Sequence, residues 1–344
     1  MSVIAENESA VKKSSIVLYH RGCNDGIAAA WAAHNYIGEE ADYIPYQYGE
    51  KLPDFTDKWV YAVDMSIPKH ILDVVSKTAK GIMIIDHHVT ALQELEFEAT
   101  CNSFTSFHSD LNDNPGCKVY VFGNVDYSGA VLSWLFFSNS LEKYKMTTAM
   151  LTMPRVLKHI QDYDLWKFNL PNTREINSWL ANGPRTIERF GSMIGEGDSI
   201  KEEVITIGKM FVEYDDGIIK SVCKAYPQYV TFNDGKQTHH VPCLNTPHHL
   251  RDFIGNYMLN TTKAPFIVLY TERDGATIVS MRSNGYDVAA IAKRFGSGGH
   301  HKAAAFRMKN DGPDLKLISM VRKPTVLERL KAIWNIVKGD FHRL

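Results

Sequence analysis

The stretch SIVLYHRGCNDGIAAAWAAHNYIG, residues 15–38, decides the fold. Its first six residues are mostly apolar and read as a strand. The run stops abruptly at His20, Cys23 and Asp25, and residues 26–37 read as a helix. Three residues able to ligate a metal therefore stand on the tip of a strand.

The same alternation continues along the chain. KWVYAVDMS (58–66) reads as a strand, and PKHILDVVSKTAK (68–80) as a helix with Pro68 near its first turn. GIMIIDHH (81–88) is again a strand. CKVYVF (117–122) is a further strand, and a helix from SGAVLSWLFFSNSL (128–141) follows it. Another helix over about 154–160 leads into QDYDLW. Strands that are apolar throughout, alternating with amphipathic helices, predict an α/β fold with a mainly parallel sheet covered on both faces.

Residues 185–220 are helical and charged, with glycines at 191, 195 and 197, and read as a linker. A second, smaller αβ unit follows. HHVPCLN (239–245) is strand-like, HHLRDFIGNYML (248–259) helix-like, and PFIVLYTERDGATIVSMRS (265–283) a hairpin turning at Asp274-Gly275. DVAAIAKRF (287–295) reads as a helix, GSGGHHKAAAF (296–306) as a glycine-rich loop entering a strand, and 325–337 as a last amphipathic helix. The expected organisation is a metal-binding domain over 1–184, a helical linker over 185–222, a substrate-binding domain over 223–312 and a helical tail over 313–344.

Composition narrows the function classes. Lys plus Arg number 38 and Asp plus Glu 39, so the net charge of −1 gives no global signal for nucleic acid or membrane. The best local basic candidate is the stretch 308–331. Cys23, Cys101, Cys117, Cys223 and Cys243 are scattered and odd in number, which argues against a disulfide scaffold and a zinc knuckle. The first fifteen residues are too polar for a signal peptide, and no apolar run reaches about 18 residues. The expectation is a cytoplasmic protein with no membrane partner.

Three strands of the first half end in similar chemistry: His20, Cys23 and Asp25 after the first, Asp64 after the second, and Asp86, His87 and His88 after the third. In an open parallel sheet the carboxyl ends of neighbouring strands share one edge, where ligands bind. A mixed imidazole–carboxylate set suits Mn²⁺, Fe²⁺ or Zn²⁺ better than Ca²⁺. Two metals about 3.5–4 Å apart, bridged by a carboxylate and a water, are a standard device for phosphoryl hydrolysis. Taken singly, each residue has a plainer reading. Asp25 would cap the helix that follows it, and a lone His20 would be structural. The coincidence of all three strand ends favours the metal.

HRGCNDG (20–26), Asp64 in AVDMS, IIDHHVT (84–90) and YDLWKFNLPNT (163–173) resemble, in order, the four motifs of the DHH phosphoesterase family. MRSNGYDVAAIAKRFGSGGHHKAAAF (281–306) resembles the DHHA1 domain that follows in many members. The likeness is to oligoribonuclease or nanoRNase-like members, in the branch whose first motif carries Cys where others carry a second Asp. By this resemblance His20 and Asp64 hold one metal, and Asp25, Asp64, His87 and Asp164 hold the other, with Asp64 bridging. His88 then lies near the phosphate as an electrophile or proton donor, and Asp86 orients the histidines. Asp162 is the fallback for Asp164, its plainer reading being a solvent-facing acid at a helix end. Cys23 stands as either a thiolate ligand or a small buried bystander. The implied cofactors are two divalent ions, Mn²⁺ foremost, with Zn²⁺, Fe²⁺ or Co²⁺ as alternatives.

In the second half, the resemblance has Arg282, Gly298, Gly299 and His300 grip the substrate's non-scissile end across a cleft between the domains. Glycines free backbone amides to approach an anion, and an arginine forks onto a phosphate. The pairs His239–His240 and His248–His249 lack nearby carboxylates and read as structural. The expected activity is hydrolysis of phosphodiester or terminal phosphate bonds in short oligonucleotides or small nucleotides by a metal-bridging hydroxide. The alternatives are a pyrophosphatase or polyphosphatase of the same fold, and a nucleotide sensor with weakened catalysis. A homodimer through a sheet edge or the terminal helix is a further expectation.

Overall fold

The structure, a computed structural model, describes residues 13–95, 107–109, 118–138, 143–225, 228–233, 238–273, 275–309 and 318–321. Residues 1–12, the helix expected at 325–337, Cys101 and Cys117 lie outside them. The chain divides into two compact units, 1–213 and 214–344.

The first unit alternates strands and helices as expected: β1 (Ser15–His20), α1 (Asn24–Ile37), β2 (Ala41–Tyr46), β3 (Trp59–Val63), α2 (Lys69–Val75), β4 (Gly81–Asp86), α3 (Val89–Glu94), β5 (Phe107–Ser109), β6 (Lys118–Gly123) and α4 (Gly129–Phe137). Helices α5 (Lys143–Thr152), α6 (Arg155–Asp164), α7 (Thr173–Ala181) and α8 (Ile187–Ser192) follow, and α9 (Glu202–Ala225) begins in this unit and ends in the next. The sheet order is β2-β1-β3-β4-β6-β5. Every pairing from β2 to β6 is parallel, and only β5 runs antiparallel, at the edge.

Strands β1, β3 and β4 are largely apolar because both faces of the sheet are covered. Val17, Val63 and Ile85 point into a core shared with Ile27 and Ala30 of α1, Leu132 of α4 and Ile160 of α6. Their neighbours Ile16, Leu18, Ala62 and Ile84 point the other way, into a core with Leu72 of α2 and Leu92 of α3. Phe190 and Met193, in the stretch read as a linker, are buried in the first of these cores. Strand β2 was not expected. Its sequence ADYIPY carries Pro45, which an edge strand tolerates, and among the described residues β2 pairs on one side only, with β1. Helix α2 ends at Val75 rather than near residue 80.

The second unit is a mixed sheet of β7 (Gln228–Asn233), β8 (Thr238–Asn245), β9 (Phe266–Arg273), β10 (Ala276–Ser283), β11 (Gly298–His300), β12 (Ala303–Lys309) and β13 (Ile318–Val321), in the order β11-β12-β10-β9-β8-β7-β13. Helices α10 (Arg251–Thr262) and α11 (Val288–Arg294) cover it, each with its own buried cluster. The β9–β10 hairpin expected around Gly275 is present in antiparallel register. Among the described residues no helix is long and apolar enough to cross a membrane.

Candidate metal centre

The parallel register brings the carboxyl ends of β1, β3 and β4 side by side. Asp64 follows β3 directly, its amide donating to the Ile85 carbonyl of β4 at 2.9 Å. Its φ of 54° is left-handed, a conformation strained for most non-glycine residues that aspartate and asparagine enter more readily than others. Such strain persists only where the surroundings impose it.

Around Asp64 the predicted ligands converge. Its Oδ2 lies 3.9 Å from His20 Nδ1, and its Oδ1 3.4 Å from His87 Nε2. That same His87 nitrogen is 3.8 Å from Asp25 Oδ2 and 3.5 Å from Asp164 Oδ2. Donor atoms of His20, Cys23 and Asp64 fall within 4.8 Å of one another, as do those of Asp25, His87 and Asp164.

Other elements fix these groups. Asp25 accepts the Gly129 and Ala130 amides, at 2.6 and 3.1 Å, in the first turn of α4. The sequence reading had Asp25 cap α1 if it did not bind metal. It instead supplies an anion to the start of a helix about a hundred residues away, where the dipole favours one. Asp164 closes α6 at the helix end where a carboxylate is disfavoured, so helix stability does not explain it. Asp86 is buried. It accepts Ser66 Oγ at 2.6 Å, the His87 amide at 2.8 Å and His88 Nδ1 at 2.7 Å. It thus orients the Asp-His-His segment from behind, as metal-site carboxylates do for imidazoles.

The electrostatics argue for a cation. Both Asp64 oxygens, Asp164 Oδ2 and His87 Nε2 are buried and have no hydrogen-bond partner among the described residues. Native proteins seldom leave such atoms unsatisfied. Burial, and then the neighbouring Asp25 charge, push the Asp64 carboxyl well above its usual range and Asp164 up to about 6. Burial and the Asp64 and Asp164 carboxylates likewise hold the Cys23 thiol protonated. Burial opposes charge on His87 and His88, but the surrounding carboxylates win; Asp86 leads for His88 and takes it to about 9. Asp86 is the exception: burial raises it, and His88 more than reverses this, holding it well below the carboxylate range. Three carboxylates sharing one imidazole form a site that divalent cations would relieve. The imidazole–carboxylate donor set fits Mn²⁺, Fe²⁺ or Zn²⁺.

Asp162 departs from expectation. It is 5 % exposed, not solvent-facing. It accepts the Asn169 and Leu170 amides at 2.8 and 3.0 Å and Thr173 Oγ1 at 2.7 Å. These donors tie the loop after α6 back onto the helix. Asp164, two residues on, faces the centre instead.

In the second unit, Gly298, Gly299 and His300 form β11 against Ala305, Ala304 and Ala303 of β12. Gly299 has φ +145°, and a methyl group there would lie 2.6 Å from the Ala303 carbonyl oxygen, so this position requires glycine. His300 is exposed. Arg282 gives Nε to Asp252 Oδ1 at 2.7 Å, pairs with it again through Nη2, and donates Nη1 to the Met281 carbonyl at 2.7 Å. The sequence reading missed Asp252. His239 is buried, its Nε2 3.1 Å from the Tyr286 hydroxyl, while His240 is exposed, as opposite faces of one strand require.

Fold and site together define a two-unit α/β protein with a buried histidine–aspartate centre suited to divalent cations. Residues 246–333 match the DHHA1 domain family. An uncharacterized protein of Acanthamoeba polyphaga mimivirus is 25% identical over 309 residues, covering 84% of this chain and 66% of that protein, so the chain spans just under two thirds of its relative's length. A pGpG-specific phosphodiesterase, PggH, from Vibrio cholerae is 11% identical with TM-score 0.44, over 95% of this chain and 100% of that one. RecJ in complex with Mn²⁺ from Thermus thermophilus is 13% identical with TM-score 0.48, over 86% of this chain and 50% of that one.

Proposed function

We propose that this chain is a divalent-metal-dependent phosphoester hydrolase acting on short oligonucleotides or other small nucleotides. The observation that carries the reading is Asp64. Both of its oxygens are buried without a donor, one toward His20 and the other toward the His87–Asp25–Asp164 group. Divalent cations bound by these residues supply neutralisation of phosphate charge and a more acidic water.

The chain's own residues do the rest. The α4 amides keep Asp25 aimed at the centre, and Asp86 fixes both the backbone and the ring of the Asp-His-His segment. His88 is partly exposed at the rim, and the Asp86 carboxylate against its ring favours the protonated form in the metal-free chain, so it suits an arriving phosphate. In the second unit the DHHA1 match and the exposed His300 favour a substrate with a base or a second phosphate to recognise. Inorganic pyrophosphate has a second phosphate but offers no base to hold.

The test is metal content after purification, followed by Mn²⁺-dependent assays on bis-p-nitrophenyl phosphate, linear dinucleotides and pyrophosphate. Turnover of the diesters supports the proposal. Turnover of pyrophosphate alone replaces the substrate class, and inactivity with every metal overturns the reading.

A further inference from the structure

Tyr48 belongs to none of the sequence motifs, yet the chain fixes it at the rim of the centre. The turn after β2 is closed by the Glu50 amide donating to the Gln47 carbonyl at 3.1 Å, with Gly49 at φ 92°. The Glu50 carboxylate accepts Arg21 Nη1 at 2.5 Å and the Gln47 amide at 3.3 Å. Arg21, next to His20, also donates Nη2 to the Pro45 carbonyl at 2.9 Å and its amide to the Tyr46 carbonyl at 2.8 Å. The Tyr46 hydroxyl completes the brace by donating to the Glu50 carbonyl at 3.0 Å.

On this braced turn the Tyr48 ring packs 6.1 Å from the His20 ring, centroid to centroid. Its hydroxyl oxygen accepts the Ser66 amide at 3.0 Å, and Ser66 Oγ in turn donates to Asp86. The phenol thus reaches from the His20 side of the centre to the segment just after Asp64.

A phenol oxygen that accepts one hydrogen still has its own to give. Among the described residues nothing accepts it, and Tyr48 is 47% exposed. Packing against His20 would need the ring but not a hydroxyl pinned by a backbone amide. The neighbouring cation, Arg21, is already taken up by Glu50 and the Pro45 carbonyl.

We propose that the Tyr48 hydroxyl is a substrate-binding donor that gives its hydrogen to a phosphate oxygen bound at this centre, on the His20 side. The inference rests on the phosphoester reading above and extends it to a residue no motif contains.

The test uses the full chain loaded with Mn²⁺ and orthophosphate as the probe, titrated calorimetrically for wild type, Tyr48→Phe and Tyr46→Phe. Tyr48→Phe is expected to weaken orthophosphate about tenfold or more, the effect of one hydrogen bond to a charged group, with Mn²⁺ affinity within about twofold of wild type. kcat/KM on a dinucleotide falls by a similar factor. Tyr46→Phe, which removes only the brace to the Glu50 carbonyl, leaves orthophosphate affinity within about twofold. Unchanged phosphate affinity in Tyr48→Phe overturns the assignment. So does an equal loss in Tyr46→Phe or in Mn²⁺ binding, since the turn rather than the hydroxyl then matters, and so does a wild type that binds no phosphate. Wild-type inactivity on every ester would sink the hydrolase reading alone, because the phosphate titration still decides whether Tyr48 is a donor.

Discussion

Gly129 and Asp64 approach so closely that a methyl group at residue 129 would lie 2.5 Å from the Asp64 β-carbon and 2.7 Å from its Oδ1. The first turn of α4 is therefore pressed against the bridging candidate while its amides hold Asp25. The motif residues found their positions through a helix start that none of the motifs contains.

Gly129→Ala tests that contact. The added carbon meets the Asp64 backbone as well as its side chain, so a rotamer change cannot relieve it. Overpacking of this kind costs about 1–3 kcal/mol. A displaced centre is expected to lose at least about 100-fold in kcat. Melting temperature and single-substrate kinetics read both, and a variant with wild-type turnover would show that Asp64 tolerates a shift.

Asp64→Asn separates stability from function. The metal-free protein buries a carboxylate that nothing solvates, and asparagine accepts the left-handed backbone readily. The metal-free variant is expected to be more stable by about 1–3 kcal/mol. Its activity and its stabilisation by Mn²⁺ should vanish. Denaturant unfolding with and without the metal checks this; a less stable metal-free variant would show that the carboxylate is satisfied without a cation.

Metal binding should be coupled to protons. The Asp164 carboxyl sits at about 6 in the metal-free fold, and Asp64 is raised as well. A carboxyl raised above its unfolded value of about 3.9 stabilises the fold fully below that pH and loses this contribution as pH rises through the folded value. Metal-free stability from this source is thus expected to decline between about pH 4 and 6, while Mn²⁺ stabilises increasingly over the same window. Calorimetry in buffers of different ionisation enthalpy should register proton release near pH 6. Binding without proton release at that pH would contradict a raised Asp164.

Asp162 gives the opposite sign. Burial raises its carboxyl, but Thr173 and the Leu170 and Asn169 amides bring it below the usual value. Its contribution is present above about pH 4 and is lost as pH falls through the depressed folded value. Asp162→Asn should lower stability at neutral pH by about 1–3 kcal/mol and flatten the acid limb below about pH 4. Urea midpoints measured from pH 6 down to 3 compare the two proteins, and parallel acid limbs would remove Asp162 from that role.

The alternation of apolar strands and helices made the parallel sheet legible, because a sheet covered on both faces leaves its mark on every strand residue. β2 escaped because Pro45 erased the strand signal, and an edge position is tolerable only in the assembled sheet. Asp162 and Asp164 stand two apart on one helix end, and no local pattern told the buried loop anchor from the residue facing the centre. Tyr48, Gly129 and Asp252 were invisible for a related reason: each meets partners distant in sequence.

The sequence by itself determined which residue types stand at the ends of three strands, since strand limits and composition are local properties of the chain. Only the tertiary structure decided that Asp64 faces both His20 and His87 with bare oxygens, and that α4 and the Tyr48 turn close around it. Those relations depend on the parallel register and on backbones packed within van der Waals contact, and neither has a signature at any single position.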